Sequence, residues 1–373
     1  MDRFAIDEKM VSAIRTDDVD ALSQYDGETL KSARDAKGQN PLFYAVRQKA
    51  HNVLSSLLKA GADATAKNHF NDTPFHVAAH LGDDVSLEMM LASMGSTPHR
   101  NKKKQTPLML AARKGSLSCV RLLSEPRARL DDLDAEGRCV LMYAVRSKKL
   151  KVVDFLIARG VNVHHINRKK ESSLHLACAY ALPSIVERLL EEGVNAFLKN
   201  IYGQNALHYA VHTPMESVVD RLLDIGLDGH EKDVFGESPF SKAQKRHDAT
   251  ALTTFTRHEN DPRSREGIPR LHQAVRARKV DIVHARLQEA DSIDRKDAYG
   301  NTPLFYAMMN EDTYLTTFLL ENGARVTDID KAGRNALFHA IVQQNDTVLS
   351  YLSKEKKQAL MTEDVRALLE EDD

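Results

Sequence analysis

One phrase returns through this chain at a fixed interval, and that interval constrains the fold more than any other feature. The apolar residue after a proline slot falls at Leu42, Phe75, Leu108, Leu141, Leu174, Leu207 and Phe240, each 33 residues after the last. The series resumes 31 residues on, at Leu271, and then keeps 33 through Leu304 and Leu337. Its clearest statement is Asn101–Gly115, where Thr106-Pro107-Leu108 leads into Ala111-Ala112 and Gly115. A register held this long means an array in which each unit buries its apolar face only against its neighbours. The local chemistry agrees. Proline at a first helical position loses no hydrogen bond, and the threonine before it can cap the helix. Alanine pairs such as Ala78-Ala79 let neighbouring helices approach closely. Gly38, Gly137, Gly203, Gly236, Gly267, Gly300 and Gly333 recur at a turn position that calls for positive φ. Asn71 fits that slot tolerably, whereas Lys104 and Lys170 predict two distorted turns.

The phrase resembles that of the ankyrin repeat family, over nearly the whole chain. Thr73-Pro74-Phe75-His76-Val77-Ala78-Ala79 matches the family's helix opening, and Leu57-Leu58-Lys59-Ala60-Gly61-Ala62-Asp63 its close. The resemblance implies an all-α solenoid of helix–turn–helix repeats with projecting β-turn fingers, capped by helices at both ends. It also implies that the usual function is binding other macromolecules.

The expected organisation is an N-terminal helical cap over 1–34 and a first array over 35–256. That array holds about seven repeats, the last degenerate, with a second helix shortened to something like 249–256. A polar loop or hinge follows at 257–267, then a second array over 268–353, formed by a cap-like repeat and two full repeats. A C-terminal helical cap with an acidic tail closes the chain over 354–373. The break at 257–267 reads either as a hinge between two arrays or as an irregular repeat that still stacks; buried apolar area at about 25 cal/mol per Å² favours stacking.

Charge is unevenly placed. The formal net charge is −1, yet residues 97–170 hold 18 Lys and Arg against 6 Asp and Glu, a local balance of +12. Such asymmetry points to a partner's charge. In the family resembled, ligands meet the finger tips and the exposed end of each first helix. Carried onto this sequence, those positions are Phe70, then Lys102, Lys103, Arg113 and Lys114, then Arg138, Arg146, Arg168, Lys169 and Tyr180, and finally Ile201, Tyr202 and Phe235, with Arg100 extending the basic set. Apolar side chains at a finger tip have no core to fill, which makes them informative.

The expected function is a non-catalytic adaptor that holds an acidic, partly apolar protein segment in a concave groove. Binding of RNA or another anionic polymer, or a structural place in a large assembly, through the basic centre 97–170, is the alternative. Neither a cofactor nor a small-molecule substrate is expected, and the chain should be monomeric on its own. No GxSxG, phosphate loop or HExxH motif is present. His76, His175, His208 and His272 share one slot of the repeat, where the family uses histidine to tie finger to helix; a zinc site needs convergent ligands instead. Cys119, Cys139 and Cys178 show no metal spacing and read as small core residues of a reducing compartment. With no apolar run of about 20 residues, an intracellular location, cytoplasmic by default, is expected.

Overall fold

The computed structural model describes residues 6–351 apart from 95–99, 125–129, 213–215, 226, 261–269, scattered positions between 277 and 299, 311, 331–332 and 343–345. The expected C-terminal cap, Gly267 and most of the polar loop lie outside the described residues. The chain forms two compact units, Met1–Lys169 and Lys170–Asp373.

The first unit opens with helices Glu8–Arg15, Val19–Leu22 and Gly27–Ser32, started by the carboxylates of Asp7, Asp18 and Asp26 as N-caps. Helix pairs follow, the first helices being Pro41–Gln48, Pro74–Leu81, Pro107–Lys114 and Val140–Arg146. They pack side by side, with Ala78, Ala79, Ala111 and Ala112 fully buried where they meet. The second unit continues with first helices Ser173–Ala179, Ala206–Ala210 and Pro239–Lys245, and, after the break in spacing, Arg270–Arg276, Pro303–Met309 and Ala336–Val342. The second helix of the seventh repeat is not shortened: it runs Ala249–Asn260. Thr253, Thr254 and Thr256 turn their hydroxyls back onto carbonyls four residues earlier, so they do not compete for the helix's own amides.

The fully described fingers are tight hairpins opened by Asp or Asn. Asn101 Oδ1 accepts from the Lys103 and Gln105 amides, both at 2.9 Å, and Asp35, Asn68, Asp134, Asn200 and Asp233 repeat the arrangement. The expectation of distorted turns at Lys104 and Lys170 is corrected. Both adopt the left-handed conformation, φ 56° and 57°, next to 59° at Asn71 and 74–75° at Gly38, Gly137, Gly203 and Gly236. A non-glycine residue there costs about 1–2 kcal/mol, and the hairpin's own bonds, such as Lys104 N–H to the Asn101 carbonyl at 2.8 Å, offset it.

The residue nine positions after the finger's first residue answers its charge. Tyr44 donates to Asp35, Tyr143 to Asp134, Lys242 to Asp233 and Tyr306 to Asp297 at 2.6–2.9 Å, and His339 meets Asp330 at 3.1 Å. Where Asn opens the finger, as at Asn68, Asn101 and Asn167, the ninth residue is Val77, Leu110 or Leu176. Asn200 is followed by Tyr209, whose hydroxyl takes Glu171 as acceptor at 2.7 Å. A buried carboxylate needs a donor and a buried amide oxygen already bonded to the finger does not.

The histidine slot is structural. His76 Nδ1 accepts from Thr73, and its Nε2 meets the Gln105 carbonyl at 3.0 Å, tying one helix to the next finger. His175 does the same with Ser172 and Gln204. Burial holds His175 and His208 neutral, their pKa values pushed down to about 4, with the Lys242 charge adding to the effect at His208. In the unfolded chain they titrate near 6.5, so between about 4 and 6.5 the unfolded state binds more protons and stability falls with falling pH. Each histidine is expected to withdraw about 2 kcal/mol by pH 5. Urea midpoints for the second unit at pH 7 and pH 5 measure this; equal midpoints would exclude it. The three cysteines are buried and free, and burial raises their thiols, Cys139 to about 11.

Within the second unit, the repeats after the break have their own core, built on Leu271, Val275, Leu304, Tyr306, Leu319 and Leu337, and Phe197 packs against it. The Phe197 and Tyr306 rings meet edge to face at 5.8 Å. Arg334 Nη1 donates to the Glu192 carbonyl at 3.1 Å. The turn at Glu192–Phe197, which ends the fifth repeat, is thus a docking point for the later repeats. No described helix is long and apolar enough to cross a membrane.

Candidate functional site

The fingers of the first unit are joined tip to tip by backbone hydrogen bonds. His69 N–H donates to the Lys37 carbonyl, Lys102 to Phe70, Ala135 to Lys103 and Arg168 to Glu136, all at 2.9–3.0 Å. This ladder sets the tip side chains in one row. Phe70 is 60% exposed in it, and Lys102, Lys103, Arg168 and Lys169 are exposed beside it. Arg113, Lys114 and Arg146 stand at the far ends of their first helices, with Lys114 and Arg146 exposed and Arg113 half-buried.

Electrostatically these cations fall into two groups. Arg100 pairs with Asp132, and Arg138 pairs with Asp134 at 2.7 Å and Glu136 at 2.6 Å while lying over the Tyr143 ring. Those two arginines are committed within the fold. Lys102, Lys103, Lys114, Arg146, Arg168 and Lys169 make no ion pair among the described residues. Arg113 bonds to His80 Nδ1 at 3.2 Å, and burial, with the charges of Arg113 and Lys114, holds the His80 pKa below its usual value. Asp134 is the opposite case: burial resists its ionisation, but hydrogen bonds from Tyr143 and Arg138 outweigh that and lower its pKa.

The remaining predicted residues belong to the second unit. Tyr180 is half-buried at the end of Ser173–Ala179. Ile201, Tyr202, Val234 and Phe235 are exposed on two adjacent finger tips, Phe235 by 67%. Val234 N–H bonds the Tyr202 carbonyl at 3.0 Å, and the Tyr202 and Phe235 rings lie 5.9 Å apart. This is a contiguous apolar patch, where isolated exposed side chains would need no explanation.

One cation escaped the sequence reading, which began the groove at the second repeat. Arg47, exposed on the first helix of the first repeat, occupies the register of Arg113 and Arg146, and counting five residues on from Leu42 would have found it.

An ankyrin repeat model of three copies matches residues 75–167, 141–233, 174–261 and 271–364, and a single ankyrin repeat model matches 37–69. The chain belongs to the ankyrin repeat family, whose repeats form protein-interaction modules. Human inversin is 29% identical over 94 residues, which is 25% of this chain and 9% of inversin. Human SH3 and multiple ankyrin repeat domains protein 2 is 36% identical over 81 residues, 21% of this chain and 4% of that protein. The chain thus spans under a tenth of the length of these relatives. The crystal structure of the human ASB11 ankyrin repeat domain superposes with a TM-score of 0.53 at 24% identity, covering 58% of this chain and 98% of that one; that likeness concerns the fold.

Proposed function

We propose that the protein is a non-catalytic adaptor whose first unit binds an acidic segment of a partner protein along its finger tips and first-helix ends. The observation that carries this reading is the row of cations that make no ion pair among the described residues, set on a backbone-bonded ladder beside a Phe70 side chain that is 60% exposed. Exposed aromatic anchors supply most of the energy of such interfaces, and the cations supply association rate and register. The apolar tips of the second unit, Ile201, Tyr202 and Phe235, form a separate contact for an apolar partner side chain.

The test is capture from native lysate, with and without nuclease, by the full chain and by a variant carrying Lys102→Glu, Lys103→Glu, Arg113→Glu and Lys114→Glu. Discrete proteins that survive nuclease, weaken with salt as the ~8 Å screening length requires, and vanish with charge reversal are the expected result. Capture that collapses on nuclease would replace this reading with anionic-polymer binding. Identical capture by both chains would reduce the cations to solvated surface.

A further inference from the structure

Resting on that reading, we infer that the groove of the first unit takes its acidic segment in an extended polyproline II conformation, with an acidic side chain at every third position.

Five residues after each apolar anchor stand Arg47, His80, Arg113 and Arg146, in four successive repeats. Three residues earlier, on the same helical face, stand Tyr44, Val77, Leu110 and Tyr143, buried or half-buried as a floor. A row of side-chain donors therefore runs across helices that pack side by side, beside a face on which Tyr44 and Val77 are part-exposed and Leu110 and Tyr143 are buried.

Two independent elements set the spacing of that row. Packed helices lie about 8–10 Å apart. Each finger is a two-segment hairpin bonded to the next through its tip, and hydrogen-bonded extended segments are spaced at about 4.8 Å, so fingers advance by roughly 10 Å per repeat. Polyproline II places every third side chain on one face and advances about 9.3 Å in doing so. A β-strand fails this match: its same-face neighbours are about 7 or 13 Å apart. An α-helix returns to one face after seven residues and about 10.5 Å, but needs a trough its own 10–12 Å width.

The side chains are poised for carboxylates. Arg47 rests over the Tyr44 ring and donates to Gln39 Oε1 at 3.2 Å. Arg113 donates to His80 Nδ1. No carboxylate pairs with Arg47, Arg113 or Arg146 among the described residues, and each guanidinium keeps donors to spare. An arginine can only donate, so His80 Nδ1 is the acceptor and its Nε2 carries the proton. His80 is then a neutral donor in that row, and an acidic side chain facing it is met as a hydrogen-bond acceptor.

The test uses the full chain and fluorescent peptides of one composition, four aspartates and six prolines, read by anisotropy at physiological ionic strength. In one peptide aspartate stands at every third position; in the others it alternates or is clustered. The every-third peptide is expected to bind about tenfold more tightly than its isomers, and Arg113→Gln with Arg146→Gln should erase that advantage. If all isomers bind alike and all weaken with the arginine substitutions, the acidic-segment reading survives and the register is overturned. If a separate, proline-free helical peptide with aspartate at every seventh position binds more tightly than all of these, the conformation is overturned. If no acidic peptide binds, the acidic-segment reading fails with it.

Discussion

Lys242→Leu is expected to destabilise the second unit by about 3–5 kcal/mol, and adding Asp233→Asn is expected to restore most of the loss. Lys242 is 7% and Asp233 0% exposed in their side chains, with Nζ 2.8 Å from Oδ2. Asp233 Oδ1 accepts the finger amides of Phe235 and Glu237, both at 3.0 Å, and Oδ2 also accepts from Gln204 Nε2 at 2.8 Å. Burial resists its ionisation, but these donors hold the carboxyl well below the usual carboxylate range. Removing the lysine strands a buried charge, and that is the expensive half of breaking a pair. Asparagine can serve the finger as well as aspartate does: Asn101 accepts both finger amides and is followed by Leu110 nine residues on. The double variant copies that arrangement and should fall within about 1 kcal/mol of the starting protein. In the native chain the same pair loses its contribution on acidification, since a depressed carboxylate stabilises above its unfolded pKa, near 3.9, and ceases to as pH falls through the folded one. Denaturant unfolding of the three chains measures all of this. A cost below about 1 kcal/mol for Lys242→Leu would mean a solvated pair and would undo the account of why these fingers open with Asp.

The second large effect separates two glycines in one register. Gly160 and Gly193 stand 33 residues apart with φ of 80° and 75°. A Cβ added at Gly160 meets nothing within 4 Å, whereas at Gly193 it would overlap the Arg334 guanidinium. Arg334 is held there by Asp330 Oδ2 at 3.0 Å, by the Phe338 ring and by the Glu192 carbonyl. Gly160→Ala should therefore cost about 1 kcal/mol, the conformational penalty alone. Gly193→Ala should cost about 2–4 kcal/mol, because it also expels a charged donor from its acceptor. In an Arg334→Ala background the cost of Gly193→Ala should shrink towards that of Gly160→Ala. Equal costs for the two glycines in the native background would show that Arg334 does not dock at this turn.

Much of this molecule was legible from period and slot chemistry. The anchors, the proline and alanine slots and the structural histidines read directly, since each is decided within a repeat or by its nearest neighbour. The deviations have local causes too. Lys104 takes positive φ because the hairpin's hydrogen bonds outweigh a small steric cost. Arg138 lies on a contact register but is claimed by Asp134, four residues before it, a pairing the sequence already displayed. Arg47 stands in the register of Arg113 and Arg146, one repeat before the second, and is readable from Leu42.

The sequence alone therefore determined the repeat, its helices and fingers, and which residues line a given face, because a solenoid is built from interactions between neighbours one period apart. It could not determine which cations are left unpaired, since that depends on where carboxylates from adjacent fingers arrive in space. Nor could it show Arg334 reaching the Glu192 carbonyl, 142 residues away, or Phe197 entering the core of the later repeats. Those contacts follow no period. They arise from how packed surfaces meet, and only the tertiary structure decides that.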